Sequence, residues 1–144
     1  VTDVRNFGAI ARTCVCAGVH ALIINNRGSV AINGDAIKTS AGALHTLPVC
    51  KVENLQNTLD YLRDSGLRIV AATEHTDTCY TSVDMTVPTA IVMGSEEKGI
   101  YEENLKRCTD KVRIPMTATI ESLNVSVAAG ILIYEAIRQR AKEI

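Results

Sequence analysis

Three stretches of the chain concentrate side chains whose types and spacing could do chemistry. The first spans residues 113–135, RIPMTATIESLNVSVAAGILIYE, where an apolar strand end stops at Pro115, a polar loop follows, and Ser-Leu-Asn opens a long apolar helix. Pro115 lacks a backbone donor and has a fixed φ, so the strand must end there. Ser122 has the hydroxyl of a good N-cap, and Asn124 carries both a donor and an acceptor into the first turn. Such a loop makes a binding surface, and it equally makes a plain connection into a capped core helix. Spacing does not choose between the two. The second stretch is DVRNFGAIARTCVCAGV, with Asn6 near a helix start and Arg12 about a turn and a half later. Both can reach the same end of a sheet; the plainer alternative is Asn6 as a cap and Arg12 as a solvated helix residue. The third is IVMGSEEKGI, where Glu96 follows a strand end and a glycine. A carboxylate there is expected to be partly buried and to need a partner, or else to sit against the dipole of a following helix.

The elements that must position these groups alternate. Apolar periodicity predicts a helix over 6–17, with Ile10, Cys14 and Ala17 on one face and Gly18 as its stop, then a fully apolar strand over 21–24. Asn25, Asn26 and Gly28 supply a turn, a short helix capped by Asn33 or Asp35 runs to Ala41 and ends at Gly42, and a strand covers 47–52. Leu55, Leu59 and Leu62 mark an amphipathic helix over 53–65, stopped by Gly66 and followed by a buried strand over 67–72. Residues 73–87 are loop-rich, with Tyr80 and Met85 placed over the sheet edge. Strands over 89–93 and 112–114, a short helix over 101–108 and a final helix over 122–142 complete the chain. Strands alternating with helices through short connections define an open parallel α/β sheet with helices on both faces.

Such sheets bind ligands at the carboxyl ends of their strands, where the loops after Ala72, Met93 and Ile114 lie. No G-x-G-x-x-G follows a strand, and Gly94 and Gly99 have the outer-glycine spacing of a P-loop without the Lys-Ser/Thr that should follow. A nucleotide-type cofactor would therefore be held by loop backbone groups and not in the Rossmann manner.

Composition narrows the class further. A chain of 144 residues suits a single domain with a real core. Its 47% hydrophobic residues include one Phe and no Trp, so that core must be aliphatic. A net charge of −1 with 22% charged residues excludes a disordered polyelectrolyte and a globally basic nucleic-acid binder, so any such contact comes from a local patch. No apolar run reaches the roughly 18 residues of a membrane span, and the first residues do not form a signal peptide; a soluble, cytoplasmic protein with no membrane partner is expected. Five cysteines without a C-x-x-C pair argue for reduced, mostly buried thiols and against both a disulfide framework and a zinc site. His20, His45 and His75 are scattered and read as surface or loop residues, so no metal site is expected.

The three stretches, in their order along the chain, resemble the signatures of the SpoU/TrmH-type RNA ribose 2′-O-methyltransferases of the SPOUT class. IPM, a small-residue loop, SLNVSVAAGI and YE are similar to the C-terminal signature, N-F-G-A-I-A-R-T to the pattern N-x-G-A-I-x-R-T, and GSEEKG to G-x-E-x-x-G. The resemblance covers nearly the whole chain. It implies a mostly parallel six-stranded α/β sheet with helices on both faces, its first strand upstream of Val1 and ending at residues 1–3. It also implies a deep trefoil knot in the C-terminal part, against the general rarity of knots. A single catalytic domain over 1–144 follows, with S-adenosyl-L-methionine as cofactor, bent into the knot. By matched position, Asn6, Arg12, Glu96, Ser122 and Asn124 form the catalytic centre; Glu97 falls on a variable position. Gly94, Ile114 and Leu123 line the cofactor pocket, with Thr73 and Met116 as neighbours. One departure is Ala118, where the family usually has glycine, which restricts φ in that loop. The resemblance further implies a homodimer with the cofactor site at the subunit interface, and the broadly apolar final helix is a compatible contact surface. It is nearest the branch that methylates a guanosine of large-subunit ribosomal RNA, with Arg5, Arg12, Arg27 and Lys38 as the phosphate-contacting face. The alternatives are a transfer-RNA guanosine 2′-O-methyltransferase and a non-catalytic RNA-binding dimer of the same fold.

Overall fold

The computed structural model describes residues 1, 3–26, 42–96, 98–117 and 123–141. The chain divides into two compact units, Val1–Leu55 and Gln56–Ile144. In the first, helix α1 (Val4–Ala17) buries Phe7, Ile10, Ala11 and Cys14, the three-and-four spacing of an amphipathic helix. Its cap is Asp3, not Asn6: the Asp3 Oδ1 accepts from the backbone N–H of Arg5 at 2.8 Å and of Asn6 at 3.3 Å. An acidic acceptor placed one residue before the helix outcompetes a carboxamide already inside its first turn. Gly18 closes the helix at φ 78, a conformation open to glycine, and donates back to Cys14 and Val15. Strands β1 (Leu22–Asn25) and β2 (Val49–Val52) then pair in parallel, from Leu22 opposite Val49 to Asn25 opposite Val52. At their carboxyl end Asn26 donates to Glu53 at 2.7 Å. A short 3₁₀ turn, Ala43–His45, packs on α1. The helix expected to end at Ala41, and with it Arg27, Asn33, Asp35 and Lys38, lies outside the described residues.

Helix α2 (Leu55–Asp64) leads into the second unit, where β3 (Arg68–Ala72) lies between β4 (Thr89–Val92) and β5 (Asp110–Val112), all parallel. A short helix α3 (Glu102–Leu105) joins β4 to β5, and α4 (Val125–Arg140) closes the chain. The core forms where one face of this sheet meets α4: Val70, Met85, Val112 and Leu132 are all 1% exposed or less, and Ala72, Tyr80, Ile91, Met93 and Ile114 pack against them. Met85 is therefore central to the core and not a cover on the sheet's edge. The opposite face carries Ile69 and Ala71, which are also fully buried.

Two local features set the site's geometry. After β3 the chain crosses the end of β5: Arg113 N–H donates to Thr78 and Arg113 C=O accepts from Tyr80, while the preceding Val112 C=O still accepts from Thr73 on the β3 side. Successive residues of a strand direct their backbone groups to opposite edges, so residues 78–80 occupy the far edge of β5. This is why β5 covers Asp110–Val112 and not the expected 112–114: at Arg113 the pairing changes partner. The second feature is the direction of α4. Its last turns hold the connector into β4, with Gln139 accepting from Met85 N–H at 2.7 Å and donating to Val83 C=O at 3.0 Å, and Arg140 donating to Met85 and Val87. The C-terminus of α4 thus sits at the amino edge of the strands. Over 16 residues at about 1.5 Å each, its N-terminus reaches the carboxyl edge.

Candidate active site at the carboxyl edge of the sheet

Continuing the register past the last paired residues sets Thr73, Gly94 and Arg113 level with one another on three adjacent strands, since Ala71 faces Val92 and Ala72 faces Val112. The alternation of a strand puts these three on the face away from α4, and Met93 and Ile114 on the face toward it. Past Ile114, Met116 is 38% exposed. Leu123, half-buried, precedes the start of α4. The edge is thus bounded by partly covered aliphatic and thioether groups on one side and a hydroxyl and a guanidinium on the other.

Gly94 opens a tight loop. Ser95 and Gly99 exchange backbone hydrogen bonds at 3.1 and 3.0 Å, and the Ser95 hydroxyl accepts from Lys98 N–H at 3.1 Å. A Cβ on Gly94 would lie 2.2 Å from the Gly99 carbonyl carbon and 2.5 Å from the Ile100 nitrogen, so only glycine fits where the loop returns across its own start. Glu96 is exposed, in contrast to the partly buried carboxylate expected; closure at Ser95 and Gly99 leaves Glu96 and Lys98 on the outside of the loop. The helix after it begins only at Glu102, too far along for Glu96 to serve its first turn.

Asn124 caps α4. Its side-chain oxygen accepts from the N–H of Ser126 at 2.9 Å and of Val127 at 3.3 Å, and from the Ser126 hydroxyl. The role expected of Ser122 belongs to Asn124, two residues on; Ser122 lies outside the described residues. In the first unit, Asn6 is half-buried in the first turn of α1 and Arg12 is exposed. Six residues apart, they differ by about 120° around the helix, so α1 does not itself bring them together. Thr73, Gly94, Ile114, Met116, Leu123 and Asn124 do gather at one edge of one unit. Sequence reasoning missed Asp3 as a cap and the unusual placement of Arg113; a charged residue wedged between apolar Val112 and Ile114 was the available sign.

Among the thiols, burial pushes Cys14 up to about 11, while the hydroxyl of Thr81, 3.3 Å away, lowers Cys79. Among the described residues no group of His, Cys, Asp and Glu could hold a metal ion, and no helix is long and apolar enough to cross a membrane. A shallow polar groove of about 500 Å³, lined by Thr81, Ser82, Asp84, Thr86, Arg138 and Gln139, lies at the other end of α4 from Asn124 and takes no part in this edge.

Loops meeting at the carboxyl edge of a parallel sheet, one of them closed over an obligatory glycine, define a class of α/β protein that matches a known family. The model of the SpoU rRNA Methylase family matches residues 1–134, and the chain belongs to that family. Its relatives include the 23S rRNA (guanosine-2′-O-)-methyltransferase RlmB of Photorhabdus laumondii, 38% identical over 141 residues that make up 98% of this chain and 58% of that protein. The structure of AviRb, a SpoU methyltransferase from Streptomyces viridochromogenes in complex with AdoMet, superposes with a TM-score of 0.89 at 31% identity, covering 96% of this chain and 57% of that one. The TrmH/SpoU tRNA modifying enzyme of A. aeolicus superposes with a TM-score of 0.87 at 35% identity, covering 97% and 71%. The chain spans about half the length of the curated relatives it matches.

Proposed function

We propose that the chain is the catalytic domain of an S-adenosyl-L-methionine-dependent RNA 2′-O-methyltransferase acting on a guanosine of 23S ribosomal RNA. The observation that carries this reading is the family match across the loops that converge at the carboxyl edge. The groups present suit the cofactor: Ile114, Met116 and Leu123 offer apolar contact to a base and to the aliphatic part of a methionyl chain, and Thr73 and the Gly94 loop offer hydrogen bonds. Bound there, it supplies a methyl group activated by a sulfonium.

A ribose hydroxyl is a weak nucleophile, so the protein's part is to align it and assist loss of its proton. Arg12, exposed on α1, grips an RNA phosphate through its fork and so places the 2′-hydroxyl; a guanidinium holds its protons too tightly to suit the role of the base itself. Glu96, in water at the mouth of its loop, takes up the proton directly or through solvent. Asn6, Ser122 and Asn124 orient the reacting groups. In this reading the second unit is the C-terminal part of a six-stranded sheet carrying a deep trefoil knot, and residues 1–144 act as one domain. The active form is a cytoplasmic homodimer; Val127 and Tyr134, 50% and 48% exposed and seven residues apart on α4, suit the contact.

Methyl transfer from labelled S-adenosyl-L-methionine to rRNA is expected, with loss of at least about 100-fold in Glu96→Ala and Arg12→Ala. Arg12→Lys retaining near-full turnover would refute the phosphate-fork role. The A. aeolicus likeness supports a second reading with tRNA as substrate, so the same assay on rRNA and tRNA decides between them. RNA binding without transfer would instead identify a non-catalytic dimer.

A further inference from the structure

Six arginines lie among the described residues of the second unit, and five are tied down. Arg63 and Arg107 reach Asp60 at 3.1 and 3.3 Å, Arg68 reaches Asp110 at 3.2 Å, and Arg138 reaches Glu135 at 2.6 Å. Arg140 donates to the carbonyls of Met85 and Val87. Arg113 is the exception. Its backbone pairs with residues 78 and 80, but among the described residues its guanidinium has no hydrogen bond and no ion pair. It is nevertheless half-buried. An arginine fork that is unpaired among the described residues, on a side chain already part-covered at a sheet's carboxyl edge, can donate two N–H groups to an anion that enters there.

Its position says what that would be. Arg113 immediately precedes Ile114, stands level with Thr73 on the neighbouring strand, and lies on the same sheet face as Lys111, which is exposed and likewise has no ion pair among the described residues. Adjacent strands are about 4.8 Å apart, so the long side chain of Arg113 can reach the space in front of Thr73.

We propose that Arg113 is an anion-binding residue of the methyl-donor site, its planar fork donating to two oxygens of a carboxylate or a phosphate. This rests on the methyltransferase reading above. Two sources carry that chemistry, the carboxylate at the amino-acid end of the donor and a backbone phosphate of the RNA. Because the backbone of residue 113 makes the pairing, Arg113→Gln should fold, and Arg113→Lys keeps the charge while losing the fork.

Calorimetry on the intact protein uses three probes: S-adenosylhomocysteine, 5′-methylthioadenosine, which lacks the carboxylate, and rRNA. If the donor's carboxylate is the partner, Arg113→Gln weakens S-adenosylhomocysteine about 10- to 100-fold and leaves 5′-methylthioadenosine unchanged, with Arg113→Lys between. If a phosphate is the partner, both nucleosides bind as in the wild type and RNA affinity falls by a similar factor. Unchanged affinity for all three probes in a wild type that binds S-adenosylhomocysteine overturns the proposal and leaves the methyltransferase reading standing. A wild type that binds neither nucleoside overturns both.

Discussion

Replacing Gly94 with alanine tests what the glycine is for. Its added methyl carbon would lie 2.2 Å from the Gly99 carbonyl carbon, 2.6 Å from the Gly99 Cα and 2.5 Å from the Ile100 nitrogen, so backbone, not a side chain, would have to withdraw by about 1 Å. That movement breaks the two Ser95–Gly99 hydrogen bonds and the Lys98 to Ser95 contact. At about 0.5–1.5 kcal/mol net for each, loop closure loses about 2–4 kcal/mol. Glu96, Lys98 and Gly99 are exposed and none belongs to the core under α4, so global stability should fall by only about 1 kcal/mol. Turnover should fall about 100-fold through misplacement of Glu96. The assay is amide hydrogen exchange at Gly99 and Lys98 beside methyl transfer. Protection retained at Gly99 in Gly94→Ala, together with lost cofactor binding, would refute the reasoning, because the glycine would then serve the ligand's approach and not the loop's closure.

Asn124→Ala removes the cap of α4 and should cost about 1 kcal/mol in denaturant unfolding. Asn124→Ser should restore most of that stability, and a serine variant that is stable but inactive separates capping from chemistry; a serine variant that regains both stability and activity would mean capping is all Asn124 does. Glu135 is 6% exposed, and its hydrogen bonds from Arg138 and Gln139 hold its carboxyl below the usual glutamate range. Its contribution is therefore complete above the unfolded value of about 4.3 and is lost as pH falls through the lower folded value. As pH falls below the unfolded glutamate value, the loss of stability should accordingly be shallower in Glu135→Gln than in the wild type; identical slopes would exclude this residue.

Periodicity located every described α-helix and strand, because aliphatic spacing records which face is covered, and the helix that buries Leu59 needs nothing more. It erred at ends, where single hydrogen bonds decide: Asp3 in place of Asn6, Asn124 in place of Ser122, and a strand that changes partner at Arg113. The polar, loop-rich stretch around Met85 points only to a cover over the sheet's edge, yet Gln139 and Arg140 hold that backbone and the side chain enters the core. The site residues came from matched letters and not from spacing. Gly94 shows why, since the contact that requires it is with residues five and six places ahead in a loop with no repeat.

The far-edge pairing of residues 78–80 dictates an order of assembly. β5 ends up flanked by β3 on one side and, on the other, by chain that left β3 only six to eight residues earlier, although β5 itself is synthesised some thirty residues later. A slot must therefore stay open in the nascent protein until its filling strand has emerged, and local collapse of those first two segments onto each other would block it. Such closure over long sequence separation is slow, so the amides of Tyr80 and Arg113 should be among the last in this unit to become protected.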